Sequence, residues 1–241
     1  MIAQFPRAAG GVAGGVRRGI RHALDGAVRE AALDALAVLL PVTCVGCGRH
    51  DRAVCAGCRG ALSPVARLVD RPELGAAWAA LEYSGEVATA IGAFKDGGRT
   101  DAAAALARAL GAAIEAALAG WPSGSVEVCT VPSTPAAMRL RGYAPVEMLL
   151  ARRGIRSSRV LALARARTDQ AGLDADARRA NAEGALRTRQ PLSGRRFLLV
   201  DDVLTTGSTL VEARRALVAA GGSVAAIAVL AETPLRRIRA G

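Results

Sequence analysis

The chain has 241 residues, 51% of them hydrophobic and only 3% aromatic, with a formal net charge of +11 and a pI near 10.9. That length buries one sizeable core and leaves room for a small second module. The charge favours polyanionic partners, phosphorylated small molecules or nucleic acid, over basic ones. No apolar run reaches the roughly 18 residues that a bilayer span needs; the nearest, Ala31 to Val42, is broken by Asp34. Gly10-Gly11 and Gly14-Gly15 interrupt the apolar stretch that a signal peptide requires, so a cytoplasmic protein with reduced cysteines is expected. Lys95 is the single lysine among 32 basic residues, a skew that reflects genome composition.

Residues 1–17, rich in Gly and Arg, read as a disordered tail. Between Arg18 and Leu40, apolar residues at Ile20, Leu24, Val28, Ala32, Leu36 and Leu39 recur at helical steps, and Pro41 ends the helix. Residues 44–58 carry Gly, Cys and charge in place of an apolar period. Trp78 to Tyr83 predicts a strand, Glu86 to Phe94 a helix, Lys95 to Arg99 a loop and Thr100 to Leu118 an Ala-rich helix. A short strand over Val126 to Val131 stops at Pro132, and Pro135 to Ala151 reads as loop into helix. Arg165 to Leu186 has almost no large apolar residue, which predicts a mobile or functional stretch. Phe197 to Val200 has the continuous apolar character of a buried parallel strand. A helix over Thr206 to Ala220, capped by Gly221-Gly222, and a strand over Val224 to Leu230 complete a β-α-β unit. The fold class is therefore α/β, a doubly wound parallel sheet.

The richest chemistry lies in Leu199-Val-Asp201-Asp202-Val-Leu-Thr205-Thr206-Gly207-Ser208-Thr209. A buried strand ends in paired carboxylates at the edge of the sheet where α/β folds bind ligands. A turn of small hydroxyl residues follows and opens a helix, whose first N–H groups suit an anion. Gly207 lets the backbone approach a phosphate without an intervening Cβ. A phosphate on this loop would leave Asp201 and Asp202 facing a ribose diol or its Mg2+. Between Ala136 and Arg196 stand 14 Arg against 5 acidic residues, +9 of the total charge. That segment is either a solvated basic face or a site for phosphates.

Cys44-Val-Gly-Cys47 and Cys55-Ala-Gly-Cys58 are two CxxC units separated by seven residues. Four thiolates at that spacing can surround one structural Zn2+, and a coreless segment needs such a crosslink to fold. Disulfides are the alternative, disfavoured in a reducing compartment. His50, between the pairs, is a second-choice ligand. Cys129 reads as a small buried hydrophobe and His22 as a surface residue.

With Tyr83-Ser-Gly85, Phe94-Lys95, Gly97-Gly98-Arg99, Val131-Pro132-Ser133, Arg139-Leu-Arg141-Gly142-Tyr143, Arg165 with Thr168 and Gln170, and Arg178 with Asn181, these motifs resemble the ComF family over about Leu39 to Ala231. The Asp201-Asp202 loop resembles the signature of type I phosphoribosyltransferases. With the disordered tail over 1–17 and the helix that composition and spacing give, the resemblance implies a helix and four-cysteine zinc-ribbon module over 18–62 and a phosphoribosyltransferase-type domain over 75–235. It implies that 5-phosphoribosyl 1-diphosphate is bound with Mg2+, Asp201 and Asp202 holding the ribose hydroxyls directly or through the metal. Thr205, Thr206, Gly207, Ser208 and Thr209 would take the 5′-phosphate. Val131, Pro132 and Ser133 would meet the diphosphate, with Arg139, Arg141 and Lys95 as further contacts, and the stretch 165–181 would close over the ligand.

Three departures qualify it. Ala144-Pro145 stands where the family commonly has Asn-Gln. Thr205 replaces the Asp base of 6-oxopurine enzymes, which argues against hypoxanthine or guanine as acceptor. The stretch 165–181 lacks the Lys on which orotate-type enzymes rely. Two functions follow: a pentosyl-transferring glycosyltransferase with an unknown acceptor, or a non-catalytic sensor of phosphoribosyl diphosphate that grips single-stranded DNA or a competence-machinery protein. The family's association with competence and DNA uptake lends weight to the second. The basic segment carries one aromatic, Tyr143, where base stacking favours several. Oligomerisation is open to either.

Overall fold

Phe197, Leu198, Leu199 and Val200 are all fully inaccessible to solvent, so the strand that carries them must be covered on both faces. The computed structural model describes residues 42–164 and 184–234. The expected tail, the helix over 18–40 and the stretch 165–181 lie outside the described residues. In chain order the elements are α1 (Ala56–Ala61), β1 (Arg67–Arg71), β2 (Gly75–Glu82), α2 (Gly85–Lys95), a 3-10 turn (Thr100–Ala102) and α3 (Ala103–Leu118). β3 (Glu127–Thr130), α4 (Pro135–Arg141), α5 (Pro145–Arg152), β4 (Leu161–Leu163) and β5 (Leu186–Thr188) follow. The described chain ends with β6 (Arg196–Leu204), α6 (Ser208–Ala219) and β7 (Ser223–Glu232).

The main sheet has the order β1-β2-β7-β6-β3, with β1 antiparallel and the rest parallel. Side chains alternate across a strand, and β6 divides its apolar residues accordingly. Leu198 and Val200 join one core with α2, α3 and α5, whereas Phe197 and Leu199 join a second core with α6 and the β4–β5 hairpin. The α/β architecture with helices on both faces is as expected. In α3, Leu106, Leu110 and Ile114 recur at one-turn steps and are buried; the alanines between them let the helix lie close to the sheet.

Four features differ from the sequence reading. β6 does not stop at Val200 but continues to Leu204. Its pairing with β3 ends at Thr130 opposite Val200, while β7 pairs with it as far as Leu204 opposite Glu232. α6 begins at Ser208 rather than Thr206, because Gly207 takes a left-handed φ of 86°. Residues 135–151 form two helices, separated by Gly142 at φ 75° and restarted by Pro145. β1 and the β4–β5 hairpin, with strands of three to five residues, were too short to carry a period.

β1 is held by one buried cation. Arg71, 3% exposed, donates from Nη2 to Glu232 Oε2 at 2.5 Å and to the Thr233 carbonyl at 2.6 Å. Its Nη1 donates to the Asp70 carbonyl and its Nε to the Thr205 carbonyl, at 3.0 and 3.1 Å. Arg67 donates to the other oxygen of Glu232 at 2.8 Å. Burial pushes the Glu232 carboxyl up, but Arg67 and Arg71 outweigh it and hold the group below its ordinary 4.5.

Removing one partner of a buried pair strands the other charge. Arg71→Ala should therefore cost about 3–5 kcal/mol, read as a lower urea midpoint at unchanged slope. The stabilisation from Glu232 is fully present above pH 4.5 and is lost as the pH falls through its lowered native value. Glu232→Gln should flatten that acid-side loss in unfolding curves taken from pH 7 downwards.

Candidate functional site

Past Val200, β6 keeps only the β7 neighbour on one side, so its last residues project beyond β3. Asp201 and Asp202 occupy that overhang. Asp201 Oδ1 accepts from the Asp202 N–H at 2.9 Å and Asp202 Oδ1 from the Val203 N–H at 2.7 Å, which fixes both carboxylates against their own backbone. The other oxygen of Asp202 lies 2.8 Å from Lys95 Nζ. Burial disfavours the Lys95 charge, but Asp202 and then Asp201 more than compensate and raise its pKa. Lys95 is thus a firmly charged ammonium.

Lys95 ends α2 and Arg141 ends α4, and the two helix ends are fastened together. Arg141 donates to Asp96 Oδ1 at 2.8 and 3.1 Å. Tyr143 donates its hydroxyl hydrogen to the Phe94 carbonyl, and the two rings lie 5.6 Å apart. α4 itself opens on Thr134, whose hydroxyl accepts from the Ala137 N–H at 3.1 Å, with Pro135 in its first turn.

Lys95, Val131, Pro132, Ser133, Arg141, Asp201, Asp202 and Thr209 line a single cavity of about 710 Å³. Thr205, Thr206, Gly207 and Ser208 form the turn that leads to Thr209 without lining the cavity. Arg139 is exposed and not in the lining. Two residues of helix are about 200° of rotation, so α4 can turn only one of Arg139 and Arg141 inward.

The turn at Thr205 is braced from β1 by Arg71. Thr206 Oγ1 accepts from the Ser208 N–H at 3.4 Å and lies 3.3 Å from Ser208 Oγ. Gly207 packs under the β1–β2 turn, where an added Cβ would lie 3.1 Å from Leu74 Cδ2. Arg214 in turn donates to the Glu73 and Leu74 carbonyls. Gly207→Ala combines that contact with a left-handed φ, and should cost about 1–2 kcal/mol, visible as a lower melting temperature.

Sequence reasoning overlooked Thr130, Glu147, Arg159 and Arg189 in the lining. Glu147 Oε1 accepts from Thr130 Oγ1 at 2.5 Å and from Ser157 Oγ at 2.6 Å. Its place in the first turn after Pro145 was the available signal. Cys129 is fully buried, and burial, with Glu147 and Glu127 nearby, pushes its thiol up to about 12. It is an inert core residue.

The four cysteines form a second centre. The sulfurs of Cys44, Cys47, Cys55 and Cys58 all lie within 4.8 Å of one another, and Cys47 and Cys55 are 3.7 Å apart. A tetrahedral ion with bonds of about 2.3 Å spaces its sulfurs by roughly 3.8 Å, so these residues fit one zinc-sized ion. Burial raises the Cys44 thiol, but N–H groups from Cys47, Cys55 and Gly46 outweigh it and bring it down to about 6. Gly46 is required sterically, since a Cβ there would sit 2.8 Å from Cys58 Sγ. His50 is exposed and stands outside the cluster. No helix among the described residues is long and apolar enough to cross a membrane.

Residues 157–239 match the model of the phosphoribosyl transferase domain family. Over 76 residues, 32% of this chain, the sequence is 37% identical to a protein of Escherichia coli O157:H7 named DNA utilization protein YhgH. The match spans 34% of that relative's length. The stretch matched to the family model holds the acid pair and the hydroxyl-rich turn, so over these residues the chain is similar to a phosphoribosyl transferase domain, with a four-cysteine module ahead of its sheet.

Proposed function

We propose that the cavity binds 5-phosphoribosyl 1-diphosphate with Mg2+ and that the protein transfers the phosphoribosyl group to a nitrogen acceptor. The supporting observation is that one cavity joins the Asp201-Asp202 pair, the Val131–Ser133 loop, Lys95, Arg141 and the end of the Thr205–Thr209 turn. The 5′-phosphate would sit on that turn, where Gly207 and the first N–H groups of α6 favour an anion. Asp201 and Asp202 would take the ribose hydroxyls. Arg141 would hold the diphosphate, and Lys95 would pass from Asp202 to the diphosphate oxygens as the ligand enters, freeing that carboxylate. Arg139 would serve at the outer rim. Bound with the diphosphate, Mg2+ would neutralise charge that develops as it leaves. The protein's part is positioning and electrostatic stabilisation.

Zinc in the four-cysteine cluster would be structural, because four thiolates close the coordination sphere. A cytoplasmic setting suits both thiolates and ligand.

A second reading, a non-catalytic sensor linked to DNA uptake or competence, draws on the name of the relative. Under it the same ligand would bind without turnover, and single-stranded DNA or a protein would bind elsewhere.

Calorimetry should show phosphoribosyl diphosphate binding in the presence of Mg2+. Asp201→Asn with Asp202→Asn should weaken it about 100-fold or more, and Lys95→Met about 10-fold, as expected for charge-assisted contacts. Diphosphate release over a panel of nitrogenous bases and amines separates the readings: release lost in the double Asn variant supports the transferase, and binding with no release for any acceptor supports the sensor. Metal analysis should return one zinc per chain. Cys44→Ser with Cys58→Ser should abolish it and lower the melting temperature, whereas a zinc-free wild type would refute the ribbon.

A further inference from the structure

We propose that Arg159 and Arg189 form an acceptor subsite, which makes the acceptor a small nitrogenous molecule that carries an oxyanion group. The inference rests on the phosphoribosyl diphosphate reading and names the class of its second substrate.

Both arginines line the 710 Å³ cavity, and neither belongs to a motif singled out in the sequence. The β4–β5 hairpin brings them together. Leu161 pairs with Thr188, and the Arg189 N–H donates to the Val160 carbonyl at 2.9 Å, so residues 159 and 189 flank the same end of the hairpin. The hairpin is anchored to α6 at its other end, where Leu186 pairs with Leu163. Glu212 of α6, 4% exposed, accepts from the Leu186 N–H at 3.0 Å and from Arg215 at 2.6 and 2.8 Å, and Arg215 donates to the Leu186 carbonyl at 3.1 Å.

The hairpin that carries the pair packs on a different face of the sheet from the helices that carry the diphosphate contacts. Lys95 ends α2, on the face of the sheet that holds α3 and α5, and Arg141 is tied to the same helix end through Asp96. The apolar residues of the hairpin pack with α6 on the opposite face, and Arg159 reaches from the hairpin toward Glu147 of α5. Displacement at C1 brings the acceptor nitrogen in opposite the departing diphosphate. The nitrogen lone pair forms the N–C1 bond, the C1–O bond breaks, its electron pair leaves with the diphosphate, and the N–H proton passes to solvent. With the diphosphate on the Lys95 and Arg141 side, the approach lies on the hairpin side.

The charge balance there calls for an anion. Lys95 and Arg141 already have carboxylate partners at 2.8 Å. Arg159 comes no nearer than 4.0 Å to Glu147 and its side chain is 81% exposed. Among the described residues Arg189 makes no ion pair. Two guanidinium forks in a cavity wall suit the paired oxygens of a carboxylate or phosphate. A volume in the upper part of the roughly 300–1,000 Å³ range of small-molecule pockets has room for two reactants.

The test is calorimetry on the full chain with two matched pairs, nicotinate against nicotinamide and O-phosphoethanolamine against ethanolamine, with and without saturating phosphoribosyl diphosphate and Mg2+. Wild type should bind the oxyanion-bearing member of at least one pair about 10-fold more tightly than the member that lacks the oxyanion, the expectation for one charge-assisted contact. The pair showing it distinguishes carboxylate from phosphate. Arg159→Ala with Arg189→Ala should erase the preference, leave the melting temperature unchanged and alter phosphoribosyl diphosphate affinity less than about two-fold. No preference in wild type, or a preference that survives the double change, would overturn the subsite. So would a larger loss of phosphoribosyl diphosphate affinity, which would assign the arginines to the diphosphate. Failure of wild type to bind phosphoribosyl diphosphate would instead defeat the underlying reading, and the titrations without it would still decide the anion preference.

Discussion

The arrangement of the site depends on an unequal pair of strand partnerships. β3 leaves β6 at Val200, whereas β7 accompanies it to Leu204. The overhang keeps enough backbone pairing to hold Asp201 and Asp202 in extended conformation. It also withdraws the neighbour that would otherwise cover them. Had both partners ended together, the acids would sit in a loop; had both continued, they would be buried in the sheet at a cost that unpaired carboxylates do not survive. The cavity is the space that β3 vacates, walled by the Val131–Thr134 loop that follows it.

Around that overhang, buried charges act as fixings rather than as chemistry. Arg71 ties the end of β1 to Glu232 at the end of β7 and to the carbonyl of Thr205, so the antiparallel edge of the sheet braces the phosphate-type turn. Glu212 does the corresponding work for the β4–β5 hairpin. The four-cysteine module joins the same framework. Arg99 donates to the Thr43 carbonyl at 2.7 Å, Gly46 lies against Glu86, and Val45 and Leu62 enter the core of α2 and α3. α2, which delivers Lys95, is therefore gripped near both of its ends.

Much of this was legible along the chain. The continuous apolar run of Phe197 to Val200, the hydroxyl-Gly turn and the paired CxxC units are local patterns, and the physics behind each acts between near neighbours: burial on both faces, a left-handed Gly, and thiolates close enough to share an ion. The Ala-rich α3 was equally plain from its leucines. The sequence alone was weaker on boundaries, since where β6 stops is set by its partners and not by its own residues, and it was silent on β1, β4 and β5, whose few residues carry no period.

The amino-acid sequence by itself determined the alternation of apolar strand and helix, the positions of Asp201-Asp202 and the Thr205–Thr209 turn, and the spacing of the cysteines. Only the tertiary structure decided which of the many arginines face the cavity. Arg139 and Arg141 are indistinguishable as residue types, yet helical rotation turns one inward and leaves the other in solvent. Arg159 and Arg189 lie 30 residues apart in the chain and reach one cavity through a hairpin pairing that no local pattern encodes. Charge was countable in sequence, but its direction is a property of packing.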